Sequence, residues 1–84
     1  MKYTVLIPVR IQKSLSAMPR DAVSKVDDEI MKLQDNPRPH GCEKLRGREG
    51  WRIRVGTYRV IYEIDDSQRT VAIRAVAHRK DVYR

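Results

Sequence analysis

The sequence predicts an α+β fold: a small, mainly antiparallel sheet with an N-terminal strand followed by an antiparallel helical hairpin packed on one face, in the order β-α-α-β-β-β-β. Three observations lead there. From Trp51 to Ile64 apolar residues alternate on either side of Gly56-Thr57, the period-two pattern of two strands joined by a tight turn. Between Val9 and Asn36 the apolar spacing widens to helical intervals, interrupted by Pro19, as in two consecutive amphipathic helices. The length of 84 residues suits one core and no second lobe, so residues 1–84 are expected to form a single domain.

Taken in order, Lys2 to Ile7 alternates weakly, with Tyr3, Val5 and Ile7 on one side, and Pro8 ends this first strand. Ile11, Leu15 and Met18 then give a short helix from Val9 to Met18. A second helix runs from about Arg20 to Asn36, with Val23, Val26, Ile30 and Leu33 as its buried stripe and Asp21 near its positive end. Asn36-Pro37-Arg38-Pro39 terminates it. Lys25, Asp27, Asp28, Glu29 and Lys32 form a mixed-sign, solvated outer face, so this helix is scaffold.

Pro37 to Gly41 is a linker, Cys42 to Leu45 a short strand, and Arg48-Glu49-Gly50 turns the chain into the hairpin. Beyond the hairpin, Asp65-Asp66-Ser67-Gln68 makes a polar turn and Thr70 to Arg79 forms the last strand. There Val71, Ile73 and Ala75 alternate with Ala72, Arg74 and Val76. Such nearly continuous apolar character is expected of a strand with neighbours on both sides.

A glycine-first two-residue turn supplies the positive backbone dihedral that tight hairpins need. It sets Val55 opposite Tyr58, Arg54 opposite Arg59, Ile53 opposite Val60, Arg52 opposite Ile61 and Trp51 opposite Tyr62. One side of this pair of strands is apolar or aromatic, and Trp51, Tyr58 and Tyr62 are assigned to the core. The other carries Arg52, Arg54 and Arg59 beside Ile61. Like charges directly opposed destabilise a sheet, so the cluster either answers to a partner outside the fold or splays into solvent.

Lys and Arg number 18 against 11 Asp and Glu, a net charge of +7. The excess is concentrated in residues 37–84, which hold twelve basic and six acidic residues against six and five before them. Arginine outnumbers lysine twelve to six, and its planar fork suits phosphates and base edges. Nucleic acid is the first partner to consider and an acidic protein the second. The single Cys42 excludes an intramolecular disulfide, and no zinc-ligand or redox spacing is present. No stretch has the length and apolarity of a membrane span, so a soluble cytoplasmic protein with no membrane partner is expected.

Four pieces occur in order: Lys44-Leu45-Arg46-Gly47, Trp51-Arg52-Ile53-Arg54-Val55, Gly56-Thr57-Tyr58-Arg59-Val60-Ile61-Tyr62 and His78-Arg79-Lys80-Asp81-Val82-Tyr83. Together they resemble the RelE/ParE superfamily of type II toxin-antitoxin toxins, on its RelE-like branch, over nearly the whole chain. The resemblance implies a helical hairpin on one face of a small sheet and a basic, concave opposite face. It also implies a ribosome-dependent endoribonuclease that cuts messenger RNA in the A site without metal or cofactor, and a cognate antitoxin as partner.

By position, Arg52 and Arg54 match basic residues of the family's central strand, and Arg59 the arginine of Gly-Thr-Tyr-Arg. Arg79 matches a basic residue ending the last strand, and Tyr83 a tyrosine that stacks on a base of the message. Lys44, Arg46, Arg48, Lys80 and Arg84 fall to peripheral contacts with RNA or the ribosome. The chain departs from the family in having arginine where the best-known members have lysine at 52 and 54, and guanidinium does not give up its proton. His78, whose side-chain type titrates near neutrality, is then a candidate to move a proton, or simply a strand terminus. Tyr83 equally suits an anchor for the tail, His40 is left at the surface, and Cys42 serves as a small hydrophobe. The alternative is a non-enzymatic ParE-like toxin that poisons DNA gyrase on the same fold.

Overall fold

The computed structural model describes residues 2–82, with the side chains of residues 81 and 82 excepted. Its elements are β1 (Thr4–Leu6), α1 (Val9–Ser16), α2 (Arg20–Lys32), β2 (Glu43–Lys44), β3 (Trp51–Val55), β4 (Tyr58–Asp65), β5 (Thr70–His78) and α3 (Arg79–Val82). The sheet runs β1-β5-β4-β3-β2. Every pairing is antiparallel except β1 with β5, which brings the N-terminal strand alongside the last one in parallel. The α+β class and the element order follow the sequence reading, and β5 does lie between two neighbours; α3 was not foreseen.

Proline stands at the start of both main helices. Pro8 and Pro19 hold extended dihedrals as the capping residues, where a missing backbone N–H is no loss. The helices lay Ile11, Leu15, Val26, Ile30 and Leu33 on one face of the sheet, against Ile53, Val55, Val60, Tyr62, Val71 and Ile73. Val23, Met18 and Trp51 pack at the margin of that core. Tyr62 is fully buried, and its hydroxyl donates to the Pro37 carbonyl at 2.8 Å. That bond ties the linker to the centre of the sheet.

The β3–β4 register is the one the turn predicts, from Val55↔Tyr58 through Arg54↔Arg59 to Trp51↔Tyr62. Gly56 takes φ 60° in the turn, a value that suits a residue without Cβ. At the other end of β3, Gly50 is buried, and a Cβ there would meet the Tyr62 carbonyl oxygen at 3.2 Å and Leu45 Cδ1 at 3.1 Å. Glycine is thus what lets the chain pass over the sheet and enter β3.

The β4–β5 ladder departs from simple alternation. Ile61 pairs with Ala75 but Tyr62 with Ile73, a bulge that leaves Arg74 as the extra residue of β5. One inserted residue sends every later side chain to the opposite face. Val71 and Ile73 face the helices, but after the bulge it is Val76, not Ala75, that packs against the core.

At the end of the sheet where β4 turns into β5, three segments meet at Asp66. It accepts from the Tyr3 hydroxyl at 2.6 Å and from Arg38 at 2.8 and 3.2 Å, joining β1, the linker and the β4–β5 turn. The hydrogen bonds from Arg38 and Tyr3 draw the Asp66 carboxyl down to about 2. An acid with a depressed folded-state pKa stabilises the fold above its unfolded value and loses that contribution as pH falls. Comparing thermal melting of wild type and Asp66→Asn should therefore show a gap in Tm at neutral pH that narrows from about pH 4 toward about pH 2. A gap independent of pH would assign the loss to something other than the carboxylate's charge.

Candidate functional site: an arginine face with an internal carboxylate

On the sheet face away from α1 and α2, the hairpin register gathers Arg52, Arg54 and Arg59. Their environments differ. The Arg54 side chain is 57 % exposed, that of Arg52 only 18 %, and Arg59 as a residue retains 7 % of its surface. The cluster is therefore not a set of arginines splayed in water, and the solvated alternative holds only for Arg54.

Glu43 is the member that sequence reasoning missed. It lies on β2 directly opposite Arg52, where Leu45 N–H donates to the Gly50 carbonyl and closes the preceding loop. Its Oε1 accepts from Arg52 Nη2 at 2.9 Å and lies 3.7 Å from Arg54 Nη2. The Arg52 hydrogen bond and charge, then the charges of Arg54 and Arg59, hold the Glu43 carboxyl below the usual carboxylate range. Pairing Cys42–Leu45 across the loop with Trp51–Val55 would have revealed it.

Arg59 is held more tightly and satisfied less well. Its Nη1 reaches the Tyr58 carbonyl at a long 3.4 Å, and its Nε has no hydrogen-bond partner among the described residues. Its neighbours across the ladder on β5 are Ala77 and, two pairs on, Ala75 opposite Ile61. Small side chains leave the guanidinium a shallow apolar floor, on which a charge interacts more strongly than in water. A buried cation whose donors are left over is a ready seat for an anion such as a phosphate.

Two expected members lie elsewhere. His78 pairs with Tyr58, their rings edge-on at 5.5 Å, and so shares the face of Val55 and Val60. The β5 bulge is the reason: uninterrupted alternation from Ile73 would have set His78 among the arginines. Lys44 is opposite Trp51 with its Nζ 5.3 Å from the indole centroid, and Arg38 is also 5.3 Å from that ring; both therefore belong to the helix side. Arg46 and Arg48 are exposed in the β2–β3 loop, and Arg79 and Lys80 are exposed at the start of α3. The Arg79 N–H donates to the Thr57 carbonyl at 2.7 Å, fastening α3 to the hairpin turn. Tyr83 and Arg84 lie outside the described residues. Among the described residues no three His, Cys, Asp or Glu side chains gather as metal ligands.

A buried donor without a partner costs roughly 1–3 kcal/mol, and an apolar side chain of similar length removes that cost. Arg59→Met should accordingly raise Tm, by roughly 4–8 °C for each 1 kcal/mol regained in a domain of this size. Arg54→Met, at the exposed position, should leave Tm nearly unchanged. A lower Tm for Arg59→Met in thermal melting would mean that the guanidinium holds the sheet together.

Comparison with known proteins bears on the family and the fold. Residues 7–83 match a family model described as the ParE toxin of the type II toxin-antitoxin system parDE. The chain is 36% identical to toxin RelG of Mycobacterium tuberculosis over 100% of its own length and 99% of that protein's. It is 32% identical to a putative toxin RelE1 of Methanocaldococcus jannaschii, over 100% and 98% respectively. In the crystal structure of the toxin-antitoxin complex RelBE2 from Mycobacterium tuberculosis, one chain superposes with a TM-score of 0.82 at 30% identity, covering 93% of this chain and 99% of that one.

Proposed function

Since this chain belongs to the RelE/ParE superfamily and is the RelE-like toxin of a toxin-antitoxin pair, we propose that it is a metal-independent endoribonuclease that cuts messenger RNA in the ribosomal A site. The observation that carries the reading is the arginine face, above all the buried Arg59 with its unpartnered Nε. The relatives support the ribonuclease branch, being RelE-type toxins over their full lengths.

RNA brings its own nucleophile. The 2'-oxygen attacks the adjacent phosphorus, the bond to the 5'-oxygen breaks, and the products are a 2',3'-cyclic phosphate and a 5'-hydroxyl. Arg59 and Arg54 hold the phosphate and stabilise the charge that builds on its oxygens, a task fixed guanidinium groups perform without reorganising. Arg52, braced by Glu43, completes the cluster, and Arg79 adds charge from α3. Arginine does not serve as a base, so the 2'-hydroxyl proton goes to Glu43, the carboxylate already among the guanidinium groups; the 5'-oxygen takes a proton from water. Tyr83 is assigned to stacking on the message, and Arg46, Arg48, Lys80 and Arg84 to ribosomal RNA, with Lys44 reaching it from the helix side. A cognate antitoxin of RelB type, like that in the RelBE2 complex, restrains the toxin in the cytoplasm.

The match to a model described as ParE favours a second reading, a non-enzymatic gyrase poison. Primer extension on a translated message separates the two: cuts within codons should appear only with toxin and translating ribosomes, whereas a gyrase poison leaves messages intact and blocks DNA supercoiling. Replacing the ribose at the cut position by 2'-deoxyribose should abolish cleavage there and leave binding intact. Glu43→Gln should lower single-turnover cleavage by about 10²- to 10⁴-fold, the usual scale for a lost general base. Cleavage of the deoxy message at its normal rate, or a 5'-phosphate on the downstream fragment, would rule out this chemistry.

A further inference from the structure

The bulge that removes His78 from the arginine face leaves it with a different task. It is the last residue of β5, and the next residue begins α3. Its Nδ1 accepts a hydrogen bond from the Lys80 N–H at 3.3 Å. That is the geometry of a helix cap, in which a side-chain acceptor satisfies one of the free N–H groups of the first turn. The neighbouring Arg79 N–H is satisfied by the Thr57 carbonyl at 2.7 Å. Two successive amides at the start of α3 are thus held, one by the imidazole and one by the hairpin turn that separates Arg54 from Arg59.

We propose that His78 is a positioning residue: its neutral imidazole caps α3 through Nδ1 and so holds Arg79 beside the hairpin that bears Arg54 and Arg59. The proposal rests on the ribonuclease reading for its kinetic consequence but not for its geometry. An imidazole accepts at Nδ1 only when that nitrogen carries no proton, which fixes the tautomer with hydrogen on Nε2. Protonation turns both nitrogens into donors and ends the cap. Tyr58 meets the ring across the ladder. The charged side chains on adjoining segments are Arg79 and Lys80 of α3 itself and, beyond the small cavity they line with Tyr58, Asp21 and Lys25 of α2.

The sign of the pH effect separates this role from general-acid catalysis, and His78→Asn, which caps but takes up no proton, separates it from general-base catalysis, whose activity also falls as pH falls. A proton donor acts only while protonated, so its activity falls as pH rises. A neutral cap is lost as pH falls, through the range of about pH 5 to 8 in which histidines titrate. Asparagine also caps helices well but transfers no proton in that range, whereas glutamine is neither a good cap nor an acid.

The experiment measures single-turnover cleavage on programmed ribosomes for wild type, His78→Asn and His78→Gln between pH 5 and 8. Nitrogen NMR of the free toxin runs alongside. Wild-type cleavage should decline on the acid side, His78→Asn should keep the high-pH rate within about twofold and lose that decline, and His78→Gln should be slower by about fivefold, the scale of one lost cap. The nitrogen spectrum should show the Nε2–H tautomer, and exchange of the Lys80 amide should quicken as the ring protonates. An Nδ1–H tautomer, or a Lys80 amide indifferent to that protonation, overturns the cap. So does a His78→Asn toxin as impaired as His78→Gln. If wild type leaves the translated message intact, the ribonuclease reading fails, while tautomer and amide exchange still decide the cap.

Discussion

The turn at Gly56-Thr57 is the constraint on which the rest depends. A two-residue connection leaves no freedom in how β3 meets β4, so once Gly56 adopts φ 60° the pairing Val55↔Tyr58 is set and every later pair follows. That single choice puts Ile53, Val55, Val60 and Tyr62 under the helices and Arg52, Arg54 and Arg59 on the other side. A slip of one residue would bury the arginines against α1 and α2 and expose the core. The strong apolar content of one face therefore enforces the charged content of the other. The arginines need no stabilising contact of their own to be placed.

Placement by register has a consequence for energetics. Arg54 opposes Arg59 across the ladder, and the fold relieves this only in part. Glu43 neutralises the Arg52 and Arg54 end, while Arg59 sits over Ile61, Ala75 and Ala77 with one long hydrogen bond. A surface optimised for stability alone would not bury a guanidinium this way. Tolerating a buried guanidinium whose Nε has no hydrogen-bond partner among the described residues gives a site whose donors are already aimed and partly dehydrated. That is the condition under which electrostatic stabilisation of a transition state is largest.

Most of the fold was legible in the sequence because it rests on local signals. Pro8 and Pro19 mark helix starts, helical spacing identifies Ile11, Leu15, Val26, Ile30 and Leu33, and the glycine turn fixes the hairpin. What escaped has a non-local cause. The bulge at Arg74 depends on how β5 meets β4, and nothing in Thr70 to Arg79 shows where alternation breaks. That one irregularity turns Val76 rather than Ala75 toward the core and takes His78 off the arginine face. Glu43 escaped because a two-residue strand has too little pattern to assign a partner. Arg52, Arg54 and Arg59 were legible as a cluster, but the burial of Arg59 was not, since it arises from neighbours on β5. The α3 turn escaped because four residues hold less than two turns of helix.

The hairpin also organises what lies at its two ends. At the open end, Gly50 lets the chain pass close over Tyr62, and the Leu45 to Gly50 bond brings β2 and its Glu43 to the site. At the turn end, the Thr57 carbonyl takes the first amide of α3 and brings Arg79 close. Both additions are made through backbone groups, so the carboxylate and the C-terminal cation are held by the same ladder that positions the arginines. Such a site moves as one body with the sheet. Substitutions that loosen either attachment should then weaken the face without touching a guanidinium, because what they disturb is the spacing among charges rather than the charges themselves. The core beneath supplies the rigidity: Val60 and Tyr62, fully buried on the helix side, alternate along β4 with Arg59 and Ile61 on the open side, so the packing of one face sets the tolerance of the other.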